Sequence, residues 1–309
     1  MSILEITNLK FGYNDITLFN NLELNLYRED HMGLIGANGV GKTTLLNIIA
    51  HRIDPDEGKI SWVNGVDFSY LDQHLKVYDS LTIKDYLYKV YEELFQKEKE
   101  MNALYKSLET ALENEYDRIL NKAYNIQEYL EQKGFYMIQS KIANVINGLG
   151  INYDENWILK NLSGGQKGKI FLAKMLLEEK NVLLLDEPTN FLDAVHVEWL
   201  TKYLSTYTHA FIVISHNTEF LNGVCNVICA LENKKLTRYR GNYDAYLLQK
   251  DMHDKQYEAE YNAQQKFIKR TQDFIDRNIV RASTTKQAQS RRKMLEKIEV
   301  LTKPTKQRK

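Results

Sequence analysis

The sequence predicts an α/β fold built on a parallel sheet and followed by a helical hairpin. Three observations carry that prediction. Val182-Leu183-Leu184-Leu185 and Phe211-Ile212-Val213-Ile214 are unbroken apolar runs, the pattern of strands buried on both faces of a parallel sheet. Gly36-Ala37-Asn38-Gly39-Val40-Gly41-Lys42-Thr43 fits G-x-x-x-x-G-K-[ST] between an apolar strand and a helix. From Tyr243 onward there is no glycine, and Tyr257, Tyr261, Ile268, Ile275 and Ile279 recur at steps of four and seven, as on one face of a helix.

Taken in order, the first forty residues read as strands. Leu22, Leu24 and Leu26 alternate with polar neighbours, and residues 31–35 form an apolar strand that enters the glycine loop. A helix follows over 44–50. Thr82, with Asp85 three residues on, starts a polar helical region that reaches about residue 146. Tyr86, Leu87, Val90, Tyr91, Leu94 and Phe95 mark its apolar face, and no proline between Asp56 and Glu187 forces a break. Asp193 is placed to cap a helix carrying Val195, Trp199, Leu200 and Tyr203. Residues 227–231 and 236–239 read as final, more exposed strands. Beyond Tyr243, Met294, Leu295 and Ile298 resume the helical spacing after an interruption at Arg281-Ala282-Ser283-Thr284-Thr285. The end of the chain is therefore an antiparallel pair of helices. Its first helix, at about 36 residues, would reach roughly 50 Å.

The 309 residues suggest about two domains. Hydrophobic residues make up 43% and charged ones 27%, a globular composition that argues against wholesale disorder. Lysine plus arginine balances aspartate plus glutamate at 41 each, yet the balance hides a division. Residues 266–309 hold 14 basic and 4 acidic side chains, so the rest of the chain is correspondingly acidic. A basic tail on an acidic body predicts a polyanionic partner for the tail. No apolar run approaches the length of a membrane span, and the first residues, Met1-Ser2-Ile3-Leu4-Glu5, lack a secretory pattern. Cys225 and Cys229 lie in an apolar run and read as core residues in a reducing, cytoplasmic setting.

The glycine loop carries specific chemistry. Its glycines let backbone N–H groups close around phosphates at a helix N-terminus, where the helix dipole favours anions. Lys42 then reaches the β and γ phosphates, and Thr43 offers its hydroxyl to Mg²⁺. Asp186-Glu187 ends the buried 182–185 strand, and ligands of open α/β sheets bind outside the carboxyl ends of strands. Asp186 can hold Mg²⁺ there through water, and Glu187 can polarise the attacking water.

Leu162-Ser163-Gly164-Gly165-Gln166 is identical to the signature of ATP-binding cassette proteins. With Gln73, Asp186-Glu187, Thr189-Asn190-Phe191-Leu192-Asp193 and His216 in order around it, residues 1–242 resemble such a cassette. The resemblance implies a P-loop core with an antiparallel β subdomain and a helical subdomain. It implies ATP and Mg²⁺ as ligands and ATPase activity. It places Tyr13 on the adenine, and Gly36, Asn38, Gly39, Gly41, Lys42, Thr43 and Thr44 around the phosphates. Thr43, Gln73 and Asp186 would serve the metal, Glu187 would be the base, and His216 would contact the γ-phosphate with Gln73 near the attacking water. Ser163, Gly164, Gly165 and Gln166 would cap the γ-phosphate of ATP held by a partner cassette. One chain with one loop and one signature holds two half-sites. It requires a second cassette, in the same longer chain or as a head-to-tail copy.

Within that family, two features resemble the ABC-F class, whose members act on the ribosome. The 90 residues separating Gln73 from Ser163 leave room for a helical arm, here at about 84–140. Tyr239-Arg240-Gly241-Asn242-Tyr243-Asp244-Ala245-Tyr246-Leu247 and the basic helices after it, 243–309, resemble the linker between two ABC-F cassettes. Asn190 fits the ABC-F form of its loop, whereas Phe191 departs from the histidine common there. The basic end around Pro304 resembles the approach to a second cassette. This resemblance implies binding near the ribosomal tRNA exit site, with Lys286, Arg291, Arg292 and Lys293 on rRNA or tRNA phosphates and no membrane insertion. Hydrolysis would time release, in translation or in ribosome protection against antibiotics. An ATPase subunit of a membrane transporter is the alternative, and it leaves the basic hairpin without a use. A DNA-maintenance cassette would carry its coils inside the cassette rather than after it.

Overall fold

The computed structural model describes residues 1–14, 16–71, 80–278 and 285–303. Gln73, Ile279, the interruption at Arg281-Ala282-Ser283-Thr284 and Pro304 lie outside the described residues. The chain divides into two compact units, Met1–Tyr243 and Asp244–Lys309.

The first unit holds two sheets. Strands β1 (Ser2–Tyr13), β2 (Ile16–Tyr27) and β4 (Glu57–Trp62) form an antiparallel sheet in the order β2-β1-β4. In β2 the alternation of Leu22, Leu24 and Leu26 puts all three inside, as the pattern requires. The second sheet runs β5-β6-β7-β3-β8-β9. Its members are β3 (His31–Ile35), β5 (Phe68–Leu71), β6 (Val182–Asp186), β7 (Ala210–Ile214), β8 (Val227–Glu232) and β9 (Lys235–Arg240). All pairings are parallel except β8 with β9. β6 and β7 are apolar on both faces because both faces are covered, and every residue of β7 is buried.

One core fills the space between the sheets and the first helix, α1 (Lys42–Ile49). Leu4, Ile6, Phe19 and Leu24 from the antiparallel sheet meet Leu34, Leu184 and Ile212 from the other, with Leu45, Leu46, Ile48 and Ile49 of α1. Asp30, almost fully buried, accepts from Arg238 Nη2 at 2.8 Å and from the Tyr27 N–H at 2.7 Å. That ion pair ties the β2–β3 turn to β9.

One expectation changes. β8 is not an exposed late strand: it lies between β3 and β9 with five of its six residues buried. Cys225 precedes it, at the C-terminus of α8 (Thr218–Val224), and both cysteines are free and buried as core residues.

The helical region also differs from one long pattern. It is cut into α2 (Ile83–Tyr88), α3 (Glu92–Ser107), α4 (Tyr116–Gln132) and α5 (Ile138–Gly148), with short 3₁₀ turns between. Gly134, at φ +69°, makes the break before α5. Thr82 caps α2 as expected, its hydroxyl oxygen accepting from the Asp85 N–H at 3.0 Å. Both ends of the region are laced together. Ile83 N–H donates to Trp157 O at 3.0 Å, Lys84 N–H to Glu155 O at 2.9 Å and Leu159 N–H to Leu81 O at 2.9 Å.

In the second unit, α9 (Tyr243–Asn278, 36 residues) and α10 (Thr285–Glu296) pack antiparallel. Ile275, Thr271 and Ala288 are buried, Arg291 stacks 3.8 Å above the Phe274 ring, and Tyr257 Oη donates to Thr302 O at 2.9 Å. Lys286, Arg291, Arg292 and Lys293 are exposed. Among the described residues no helix is long and apolar enough to cross a membrane.

Candidate functional site

β3 sits in the sheet between β7 and β8, and β7 is followed on its other side by β6. The loops leaving the carboxyl ends of β6, β7 and β3 therefore lie side by side. They carry Asp186-Glu187, Ser215-His216 and the glycine loop.

The glycine loop is shaped by its backbone. Gly41 (φ +103°) precedes α1 with the Phe19 ring beneath it, so that a Cβ there would lie 2.9 Å from Phe19 Cζ. Only glycine combines that conformation with that approach. Gly36 turns against β8, where a Cβ would lie 2.7 Å from Leu231 O. Asn38, Gly39 and Thr43 are exposed, and Thr44 is half-buried. Lys42 Nζ lies across the loop, donating to Gly36 O at 2.9 Å and Ala37 O at 3.1 Å. Burial pulls the Lys42 pKa down, and the nearby Glu187 and Asp186 carboxylates oppose that fall. These three groups thus share one electrostatic neighbourhood.

Glu187 adopts φ +49°, an uncommon conformation for a side-chain-bearing residue. Its backbone N–H donates to Ile214 O at 2.9 Å, which fixes it beside β7. Its side chain is 14% exposed. Oε2 accepts the His216 N–H at 3.3 Å. Among the described residues Oε1 is buried without a hydrogen-bond partner, and His216 Nε2 lies 3.4 Å from it, outside hydrogen-bonding geometry. Burial raises the Glu187 pKa; the His216 backbone and imidazole pull it down and Asp186 adds to the rise. A half-buried carboxylate with one unsatisfied oxygen has the basicity and the spare acceptor that a water-activating base needs. Oxygen donors at Thr43 and Asp186 suit a hard cation such as Mg²⁺. Among the described residues no cluster of three or more His, Cys, Asp or Glu could hold a metal ion.

Ser163 and Gln166 open α6 (Gly164–Leu177) with a capping box. Gln166 N–H donates to Ser163 Oγ at 3.3 Å, and Ser163 N–H to Gln166 Oε1 at 2.8 Å. A Cβ at Gly164 would meet open space, so this helix start has its backbone accessible. Tyr13, about half exposed, packs edge-on against Phe11 at 5.0 Å.

The sequence pattern alone did not single out Phe19 under the loop or Ser215, whose Oγ lies 3.3 Å from Thr189 Oγ1. It also missed the lock on α7 (Ala194–Ser205). There His196 Nδ1 lies 2.9 Å from Gly148 O and the Trp199 ring rests on Gly148.

A family model described as ABC transporter matches residues 19–190, and an extension model with the same description matches 229–309. The chain belongs to the ATP-binding cassette family. That family is one of ATP-hydrolysing domains. The ABC transporter ATP-binding protein YfmM of Bacillus subtilis (strain 168) is 43% identical over 302 residues, 97% of this chain and 58% of that protein. ABC transporter F family member 2 of Arabidopsis thaliana is 30% identical over 299 residues, 95% of this chain and 44% of its own length. The chain thus spans about half the length of the curated relatives it matches. A solved ATP-binding subunit of an ABC transporter superposes with a TM-score of 0.55 at 20% identity, covering 79% of this chain and 91% of that one. That likeness establishes the cassette fold, with its mixed sheets and helical subdomain.

Proposed function

We propose that the chain is the first cassette and interdomain linker of an ABC-F type ATPase. Residues 1–242 are the cassette, with its arm inserted at about 84–140, and 243–309 are the linker. The observation that carries the reading is one phosphate loop and one signature in a single cassette, followed by an exposed basic helical hairpin. A relative named as an F family member supports it.

In this reading Tyr13 stacks on adenine, and Gly36, Asn38, Gly39, Gly41 and Thr44 turn backbone donors toward the phosphates. Lys42 exchanges its two carbonyl partners for phosphate oxygens. Thr43, Asp186 and Gln73 would hold Mg²⁺, which would supply charge compensation on the phosphates. Glu187 takes a proton from the attacking water and His216 steadies the γ-phosphate. Ser163, Gly164, Gly165 and Gln166 cap the nucleotide of a second cassette, in the same longer chain or as a head-to-tail copy. The closed pair binds the ribosome near the tRNA exit site, with Lys286, Arg291, Arg292 and Lys293 on RNA phosphates. Loss of the γ-phosphate removes contacts from both halves and releases the protein, a switch that works through differential binding of two states. The setting is the cytoplasm.

The test is co-sedimentation of a Glu187→Gln two-cassette form with ribosomes in ATP. Retention on ribosomes that depends on ATP is expected. Recovery with membranes instead would transfer the chain to the transporter reading.

A further inference from the structure

The loop after Glu187 reaches the signature helix through the Phe191 side chain. It folds as two tight turns, Asn190 N–H donating to Glu187 O at 3.2 Å and Leu192 N–H to Thr189 O at 3.1 Å. The segment is held at both ends. Thr189 meets Ser215 at one end, and Asp193 caps α7 at the other by accepting from the His196 N–H at 3.2 Å. Between these fixed points the Phe191 ring leaves the loop and lies on α6. A Cβ at Gly168 would sit 3.0 Å from Phe191 Cδ1 and Cε1, and one at Gly165 would sit 3.9 Å from Phe191 Cβ. Gly168 is buried, so the ring edge rests on bare helix backbone one turn inside the capping box. A side chain as small as alanine would leave that groove unfilled, and a methyl group on the helix would expel the ring.

We infer that Phe191, seated on Gly168, is the positioning residue that couples the loop of Glu187 to the start of the signature helix. Glu187 serves the nucleotide on its own phosphate loop, whereas the signature faces the other half-site. The Phe191–Gly168 contact therefore carries the state of one half-site to the other within a single chain. The inference rests on the nucleotide reading above. It assigns to Phe191 no contact with substrate: the ring acts through packing, and packed groups move together because interiors are close to solid in density.

The experiment is hydrogen–deuterium exchange on the 309-residue chain, verified as a monomer, with and without Mg²⁺ and ATPγS. In the unmodified chain the nucleotide should slow exchange in the phosphate-loop peptide and, by about fivefold, in the peptide covering the first turns of α6. In Phe191→Ala the α6 response should fall to within about twofold of the nucleotide-free rate, while the phosphate-loop response stays. Gly168→Ala, which keeps the aromatic ring and displaces it, should uncouple in the same way, and Phe191→Leu should retain most of the response. An α6 response that survives in Phe191→Ala overturns the inference, as does an α6 that never responds while the phosphate loop does. A phosphate loop that does not respond in the unmodified chain rejects the nucleotide reading and the coupling with it.

Discussion

The His216 N–H donates to one oxygen of Glu187 at 3.3 Å while the other oxygen is buried with no hydrogen bond among the described residues. A buried acceptor in that condition is costly unless it has work to do. Glu187→Gln preserves shape and removes basicity. Expected is near-normal ATP binding with hydrolysis lowered by about 10²–10⁴-fold, checked by phosphate release beside a nucleotide-binding titration.

Burial also sets a pH dependence. Because the Glu187 pKa is raised, the folded chain holds a proton to higher pH than the unfolded chain does. This group's contribution to stability therefore declines as pH rises from the ordinary carboxylate range through the raised value. A base must be ionised, so the acid limb of the hydrolysis profile should inflect above the ordinary carboxylate range. That inflection should vanish in the residual activity of Glu187→Gln.

Gly41→Ala combines a left-handed backbone with a contact on the Phe19 ring. The strain is worth about 1–3 kcal/mol, and the loop would shift to relieve it. A lower melting temperature together with weakened ATP binding is expected, measured by calorimetry with and without nucleotide.

Ser163→Ala removes one half of the capping box that begins α6. The expected loss is about 0.5–2 kcal/mol in urea unfolding, with faster amide exchange at Gln166. Little change would mean that Gln166 alone holds the helix start.

The linker cations separate into two groups. All four are exposed, but Arg291 also lies over Phe274 and Arg292 pairs with Glu296 at 3.3 Å. If the proposed ribosome binding holds, Lys286→Ala and Lys293→Ala should each flatten its salt dependence by about 0.7–0.9 in log–log slope. Arg291→Ala should also loosen the hairpin, seen as reduced helicity on heating.

Much of this was legible because the signals were local. The glycine loop, Asp186-Glu187 and the α6 cap are short patterns whose residue types leave few backbone choices, and the doubly buried β6 and β7 read as continuous apolar runs. What stayed hidden depended on distant partners. β8 looked like a late, exposed strand because nothing in residues 227–231 reveals that β3 and β9 flank it. The breaks between α2 and α5 needed no proline, only a left-handed Gly134 and short 3₁₀ turns. Phe191 stood out as a departure from a family pattern, and its meaning required Gly168, 23 positions earlier, to be brought beneath its ring.

The lacing of residues 81–84 to 155–159 pins the two ends of the helical region together, while α2 and α5 stay packed on the body and α3 and α4 pack on each other. Closing a longer or shorter excursion from such a doorway changes the folding free energy only slowly with length. The α3–α4 excursion is thus a graft: evolution, or an engineer, can trim, extend or exchange it at little cost to the phosphate-loop platform.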